Sequence, residues 1–202
     1  FENAYCATPN TSYSVTSMMI GKYARPLVLL DLLDDSETWA SYVRKYGYRT
    51  AAFYPPAVFF IDTAKFEGFK RRKFDFEYAK VEYLPADGRV EQVDAYLREP
   101  SVASKPLFLW EHLFEPHEPY EYHSEFPFQD TTAGGVPTGV DRYDSEVAMA
   151  DRGIGRIVAL VQAKRPGAVV IITAVATLGD RLTDTFTSIN DCLEDPESCS
   201  GS

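Results

Sequence analysis

The sequence is short of cysteine, of basic charge and of long apolar runs, and each shortage excludes a class of protein. Among its 202 residues three are cysteines, too few for the disulfide framework of a small secreted scaffold. No window approaches the roughly 18 consecutive apolar residues that a membrane-spanning helix requires. The 20 Lys and Arg are outnumbered by 30 Asp and Glu, so the net charge of −10 should repel nucleic acid.

The compartment of the protein stays open. The chain starts without a Met and without a basic region followed by an apolar one, so its start is not a signal peptide, and we expect it to lie inside a longer sequence. Cys192 and Cys199 flank an acidic stretch and could form a disulfide in an oxidising compartment. Of the alternatives, an extracytoplasmic location is favoured.

What is present is an ordinary globular composition, with 45% hydrophobic, 25% charged and 14% aromatic residues. The length suits one large domain, or a domain with a small appendage. No internal repeat or low-complexity linker divides the chain. We therefore predict a single domain over residues 1–180, followed by an acidic tail or loop over residues 181–202.

Helical and strand-like patterns alternate along the chain. Helices are predicted where apolar residues recur at three- and four-residue spacing, and strands where short apolar runs stand between turn residues. The predicted helices are 36–46, 88–97 and 141–164, and the predicted strands are 48–54, 107–114 and 168–176. This order predicts an α/β domain whose mostly parallel sheet is flanked by helices, with ligands bound beyond the carboxyl ends of the strands.

The first candidate site is a run of hydroxyls near the N-terminus. Thr11, Ser12 and Ser14 lead into a helical stretch that ends at Gly21. A hydroxyl at a helix N-terminus lies among unpaired N–H groups at the positive end of the helix dipole, which favour an anion or a developing alkoxide. The alternative is that Thr11 or Ser12 only caps the helix.

Two of the three histidines form the second candidate. His112 lies near the end of the strand 107–114 and His117 follows in a Pro-flanked loop, so both fall at the ligand-binding end of the sheet. Histidine can donate a proton to a leaving group or pair with an anion near neutral pH. The alternative is a structural His112 in the core and an exposed His117. The glutamates around them would permit a metal, but their spacing matches no zinc signature.

The third candidate is the end of the last predicted strand. Metal-dependent hydrolases commonly carry carboxylate and imidazole ligands at such an edge. Here Ala174, Val175 and Ala176 occupy it, and the first acid is Asp180. Asp180 is equally consistent with a metal ligand and with a solvated turn.

Together these segments resemble the sulfatase family of the alkaline phosphatase superfamily. Residues 1–23 resemble the family's nucleophile segment, and residues 107–123 resemble the strand and loop that end in its Pro-His-x-Pro-Tyr type motif. Residues 142–161 are similar to the helix that follows, and residues 169–174 to the strand that leads to its Asp-His-Gly metal motif. The segments keep the family's order, and the resemblance implies the family's α/β fold.

The resemblance implies Thr11 as the nucleophile, because the family places that residue ten positions before the Gly that ends its helix, here Gly21. Cys6 is the competing assignment, but Pro9 stands at the third and not the second following position, and Asn10 replaces the expected Arg. A threonine cannot become the formylglycine of sulfatases. It resembles the nucleophile of the superfamily's phosphoethanolamine transferases and phosphopentomutases, so phosphoryl chemistry competes with sulfuryl chemistry.

The same resemblance implies roles for the other candidates. His117 would contact the substrate anion or the leaving oxygen, and His112 would bind substrate. A divalent metal, Ca²⁺, Mn²⁺ or Zn²⁺, would activate the Thr11 hydroxyl, which would be one of its ligands. The implied substrate is a sulfate or phosphate ester of a small molecule, a glycan or a lipid, whereas the oligomeric state is left open.

Departures from the family leave three functions open. The family's Asp pair on a first strand would precede this sequence, and Val175, Ala176 and Thr177 replace its Asp-His-Gly motif. The chain is then an incomplete hydrolase or transferase domain, or a degenerate, non-catalytic member of the fold that keeps an anion-binding surface. The third alternative is an unrelated α/β domain in which the hydroxyls and histidines are purely structural.

Overall fold

The computed structural model describes residues 7–128 and 135–171, which contain a three-stranded parallel sheet. Its strands are β1 (Arg49–Tyr54), β2 (Tyr78–Val81) and β3 (Leu107–Glu111), in the order β2-β1-β3. In this register, Ala51 lies opposite Tyr78 of β2 and Leu109 of β3. The predicted α/β architecture with a parallel sheet is confirmed.

Helices flank the sheet. They are α1 (Thr11–Ile20), α2 (Ala24–Leu29), α3 (Trp39–Arg44), α4 (Glu67–Arg72), α5 (Ala86–Leu97), α6 (Pro100–Ala103) and α7 (Gly139–Lys164), with 3₁₀ helices at Pro56–Phe59, Thr63–Phe66 and Lys73–Asp75. α3, α5 and α7 correspond to the three predicted helices. Their starts differ by two or three residues from the prediction, because the residues that precede them are Thr38, Pro85 and Thr138. No helix in the described ranges combines the length and apolar character needed to cross a bilayer.

The middle strand, β1, is covered on both faces. All but the first of its residues are buried, and the last four form the uninterrupted apolar run expected of a strand covered on both faces. Ala52 and Tyr54 belong to an apolar cluster with α1 and the first 3₁₀ helix. Ala51 and Phe53 belong to a second cluster with α5 and α7. The sheet therefore separates two apolar cores.

Aromatic rings fill the core on the α1 side. The rings of Tyr54 and Trp110 lie 5.0 Å apart between centroids, and those of Phe59 and Phe74 lie 4.9 Å apart. Phe76 stacks on Trp110 at 6.1 Å. Such rings bury large areas in close-packed arrangements. α1, which carries the first candidate site, therefore rests on a close-packed aromatic layer.

β3 differs from the prediction of a strand buried on both faces. All five of its residues are partly exposed, because within the described part of the chain it pairs with β1 alone. The strand predicted at 168–176 is not formed at residues 168–171, where Val169 and Ile171 are 87% and 81% exposed. A segment without a pairing partner cannot satisfy its backbone groups as a strand. Residues 172–176 and the predicted tail at 181–202 lie outside the described residues.

α7 is amphipathic as predicted, but its apolar stripe is only partly covered. Ala150 and Ile157 are buried, whereas Tyr143 and Val147 are each 41% exposed. Tyr143 and Val147 line a cleft that also contacts β3. This face of α7 and β3 are therefore both left partly exposed beside the edge of β3 that has no partner strand among the described residues.

α5 and α7 pack together at Gly153. A Cβ added to this glycine would lie 2.6 Å from the Cβ of Ala86, so no side chain fits there unless one helix moves. Gly155 lies in the same helix, and a Cβ added to it would have nothing within 4 Å. The two glycines are therefore a matched pair, one at the helix contact and one in open space.

Gly153→Ala should lower the free energy of unfolding by about 1–3 kcal/mol, because the added methyl group overpacks the helix contact. Gly155→Ala should instead raise it by up to about 1 kcal/mol, because alanine favours the helix. Chemical denaturation of both variants measures the difference. Equal effects of the two substitutions would contradict the close packing at Gly153.

Candidate functional site

Asn10 caps the N-terminus of α1. Its side-chain oxygen accepts a hydrogen bond from the Tyr13 N–H at 3.4 Å, and Gly21 ends the helix in the left-handed conformation at φ 65°. Thr11 is the first helical residue. The alternative in which Thr11 or Ser12 is the capping residue is therefore wrong, and capping does not explain the Thr11 hydroxyl.

The first turn of α1 is fastened to the loop that follows β1. Ser12 Oγ accepts the Ile61 N–H at 3.1 Å, and the Tyr13 hydroxyl donates to the Asp62 carboxylate at 2.6 Å. The bond from Tyr13 lowers the pKa of Asp62, since it stabilises the ionised carboxylate. These two bonds fix the backbone that carries Thr11.

Thr11 itself is half-buried, and its hydroxyl makes no hydrogen bond to another described residue. The backbone amides of Thr11 and Ser12 likewise have no partner among the described residues. Unpaired amides and the positive end of a helix dipole favour an anion. This position therefore suits a hydroxyl whose oxygen becomes negative during a reaction.

His112 continues the pairing of β3 beyond the end of the strand. Its N–H donates to the Phe53 carbonyl at 2.9 Å, and its ring lies 5.9 Å from that of Trp110, a residue of the core on the α1 side. Burial is the main cause that lowers the pKa of His112 to about 4, and the charges of Arg89 and His117 lower it further. At neutral pH His112 is uncharged and does not pair with an anion as a cation.

His117 is exposed in the loop after β3. Its Nδ1 lies 2.8 Å from the Glu118 carbonyl oxygen, and because a carbonyl can only accept, Nδ1 carries the hydrogen. The His117 ring stacks on Phe114 at 4.6 Å with 18° between the planes. Nε2 makes no hydrogen bond to another described residue and is therefore the nitrogen available to a ligand.

A third histidine, His123, fastens the far end of this loop to α7. Its N–H donates to Ser145 Oγ at 2.8 Å, and its Nε2 lies 3.2 Å from the Glu146 carboxylate. The Glu121 N–H donates to the same carboxylate at 3.0 Å. No motif marks this attachment in the sequence. Ser145 and Glu146 are both buried in α7, and the fold alone shows what they bind.

A buried arginine lies on the other face of the sheet. Arg89 of α5 is 1% exposed and donates to the Glu82 carbonyl and, at 2.9 Å, to the Gln92 side chain. Its Nε lies 3.7 Å from Glu111 Oε1. Both carboxylate oxygens of Glu111 are buried and have no hydrogen-bond partner among the described residues. Glu111 therefore depends on the charge of Arg89 alone to offset its burial.

Burial outweighs this attraction. It raises the pKa of Glu111 to about 8, so the carboxyl is largely protonated at neutral pH. Sequence reasoning placed Glu111 among glutamates that would permit a metal. In the structure it is instead a neutral acid with a buried carboxyl group. This state depends on the packing of α5 against the end of β3, which local sequence patterns do not indicate.

Thr11, His112 and His117 line one cleft of about 1290 Å³. The cleft extends along the edge of β3, which has no partner strand in the described ranges, to the partly exposed face of α7, and Glu111 also lines it. The fold thus brings Thr11 of the first candidate site and both histidines of the second to one cavity, whereas Ser12 and Ser14 do not line it. Their roles in binding or catalysis stay predictions.

The described residues do not supply a metal centre. They contain no group of three or more His, Cys, Asp and Glu side chains that could hold an ion. The hydroxyl of Thr11 alone does not fit the divalent cation that the resemblance implies, since such ions take several oxygen or nitrogen ligands. The third candidate, at residues 174–180, lies outside the described ranges.

The fold is of the alkaline phosphatase and sulfatase type, an α/β domain with its candidate site at the carboxyl end of a parallel sheet. The family model described as Sulfatase matches residues 1–174. The chain therefore belongs to the sulfatase family.

Solved structures show the same fold at low sequence identity. The crystal structure of Ps i-CgsB matches with a TM-score of 0.53 and 15% identity, over 80% of this chain and 46% of that one. Its complex with k-i-k-neocarrahexaose gives 0.51 and 16%, over 80% and 46%. The lipoteichoic acid synthase LtaP from Listeria monocytogenes gives 0.52 and 14%, over 80% and 38%. The chain thus spans less than half of each of these structures. Comparison with curated proteins finds no match.

The stability of the protein should depend on pH through Glu111. Its carboxyl has a pKa near 4.5 when exposed and about 8 in the folded protein, so the folded state binds the extra proton between these values. The contribution of Glu111 to stability is therefore lost as the pH rises through this window, while His112, with its pKa lowered to about 4, contributes a gain as the pH rises to about 6.5. Glu111→Gln removes the ionisation. When the pH is raised from about 5 to about 9, the free energy of unfolding of this variant should therefore rise by up to about a few kcal/mol relative to that of the wild type.

Denaturant midpoints at the two pH values measure this effect. Glu91→Gln replaces an exposed carboxylate of the same helix as Arg89 and is the control. Its denaturant midpoint should change with pH as that of the wild type does. If the midpoint of Glu111→Gln changes with pH as much as that of the wild type, Glu111 is not the buried acid that governs the pH dependence of stability.

Proposed function

We propose that the chain forms part of a hydrolase site for sulfate or phosphate esters, in which Thr11 is the nucleophile and His117 contacts the anion or the leaving oxygen. One observation carries the proposal: Thr11, at the N-terminus of α1, and His117, in the loop after β3, line the same cleft. Membership of the sulfatase family supports the class of reaction.

The position of Thr11 suits the ester group. The unpaired amides at the start of α1 attract the sulfate or phosphate and stabilise negative charge on the hydroxyl oxygen. In the reaction this oxygen gives its proton to a base outside the described residues and forms a bond to sulfur or phosphorus, while the bond to the ester oxygen breaks and that oxygen takes a proton from His117. Water then hydrolyses the threonine ester, which releases the sulfate or phosphate and restores the hydroxyl. An unperturbed hydroxyl is essentially never ionised at neutral pH. Because the described residues hold no metal group, activation depends on residues outside them.

The two histidines suit the other side of the ester. When its ring is protonated, Nε2 of His117 donates a hydrogen bond to the anion or a proton to the departing oxygen. His112 is uncharged, since burial holds its pKa near 4, and it contributes a neutral hydrogen-bonding ring to substrate binding. A proton from His117 thereby neutralises the departing oxygen.

A second candidate function is a non-catalytic domain that binds sulfate or phosphate esters. The observation that favours it is the lack of a metal-binding group in the part of the chain that the structure describes. The start of α1 and His117 then serve recognition alone. The catalytic and the non-catalytic function differ in turnover and not in anion binding. Turnover and anion binding therefore both have to be measured.

The ester group is proposed to belong to a glycan or a lipid. Among the structurally similar proteins, Ps i-CgsB is known in complex with k-i-k-neocarrahexaose, and LtaP is a lipoteichoic acid synthase. The cleft of about 1290 Å³ has room for considerably more than the sulfate or phosphate group itself. An extended substrate would lie along β3 and α7, beyond the two proposed reacting side chains.

Thr11 variants separate the two functions. A catalytic chain hydrolyses an aryl sulfate or aryl phosphate when Ca²⁺, Mn²⁺ or Zn²⁺ is added. Thr11→Val, which keeps the shape but removes the hydroxyl, should lower this turnover by about 100-fold or more, and Thr11→Ser should retain part of it. Product release measured by absorbance gives the rates. Turnover that survives Thr11→Val would exclude Thr11 as the nucleophile, and a wild type without turnover would leave the binding function.

Anion binding tests the role of His117. Calorimetric titration with inorganic sulfate should show about tenfold weaker binding by His117→Gln, because a charge-assisted hydrogen bond is lost. Lys80→Gln removes an exposed positive charge of β2 and is the control, with little change expected. If His117→Gln binds sulfate as tightly as the wild type, His117 does not contact the anion.

A further inference from the structure

Glu115 holds the start of the loop that carries His117. One of its carboxylate oxygens accepts the N–H of Ala86, the first residue of α5, at 2.8 Å. Pro85, which precedes Ala86, provides no side-chain cap. α5 therefore receives its cap from a residue that is 29 positions away in the sequence.

Arg89 adds to this attraction. The buried guanidinium of Arg89 interacts electrostatically with Glu115 as well as with Glu111. The carboxylate of Glu115 thus lies where the N-terminus of a twelve-residue helix and a buried cation both favour negative charge. Its second oxygen is buried without a hydrogen-bond partner among the described residues, so the bond to Ala86 is the one that holds it.

Phe114 attaches the loop to the same wall. Its ring contacts Tyr83 edge-on at 5.1 Å and stacks on His117 at 4.6 Å. Tyr83 lies in the connection from β2 to α5, and Ala86 begins α5. Two consecutive residues, Phe114 and Glu115, therefore seat the loop on one wall immediately before His117.

We propose that Glu115 is a positioning residue for His117. Its bond to Ala86 fixes the backbone of the loop, which keeps Phe114 beside the His117 ring and Nδ1 on the Glu118 carbonyl. Nε2 is then the nitrogen that faces the anion and donates to it once the ring takes up a second proton. The proposal rests on the proposed role of His117 in anion contact.

Glu115→Gln and Glu115→Met in the full chain form a matched pair. Both side chains have nearly the length of glutamate, but only glutamine keeps an oxygen that can accept the Ala86 N–H. Long-range proton–nitrogen spectra of the imidazoles report which nitrogen of His117 carries the hydrogen. Titration with inorganic sulfate gives the affinity. Glu91→Met removes an exposed carboxylate of α5 and is the control.

In the wild type and in Glu91→Met, the neutral His117 ring should carry its hydrogen on Nδ1. Glu115→Met should mix the two tautomers and weaken sulfate binding by about fivefold or more, because the hydrogen bond that seats the loop is lost. Glu115→Gln should restore the tautomer and most of the affinity. A Glu115→Met protein with the tautomer and affinity of the wild type overturns the positioning role.

The two readouts separate this proposal from the proposed function. If the wild type binds no sulfate, the proposed function fails, and the tautomer of His117 still decides whether Glu115 positions the ring. If the wild type binds sulfate and Glu115→Met changes neither tautomer nor affinity, the proposed function stands and the positioning role of Glu115 fails.

Discussion

The described structure depends on the pairing of β1 with a parallel strand on each of its edges. This central position buries the strand on both faces and requires an apolar layer on each side, one with α1 and one with α5 and α7. Because the three strands run in the same direction, the loops that follow them meet at one edge of the sheet. The loop after β1 anchors the start of α1, and the loop after β3 carries His117. The pairing thereby sets the position of both candidate residues.

The cleft favours an anion although the chain as a whole is negatively charged. A net charge of −10 repels a sulfate or phosphate ester at a distance. Close to the site, the start of α1 attracts an anion, and the acid that lines the cleft beside His112 is neutral, since burial raises the pKa of Glu111 to about 8. Burial of Glu111 therefore removes a negative charge that would oppose an anionic ligand.

The sequence predicted the helices and strands whose formation depends on residues close together in the chain. The strand that became β1 and the helix that became α7 follow from apolar spacing and from the Pro and Gly residues beside them. The partial exposure of β3 was not predictable, because it depends on which strands lie beside it. The bonds from Glu115 to Ala86 and from His123 to Ser145 join residues 29 and 22 positions apart, and no spacing rule indicates them. Thr11 was identified by resemblance to a family and not by its local pattern, which favoured a helix cap.

The central claim is that Thr11 and His117 serve one anion. A crystal structure of the full chain with a bound tetrahedral oxyanion such as tungstate tests it most directly. We predict one anion in the cleft, within about 3 Å of both the Thr11 hydroxyl oxygen and Nε2 of His117. An anion bound to one of these side chains with the other out of reach, or no anion in the cleft at a concentration that saturates binding, would contradict the account.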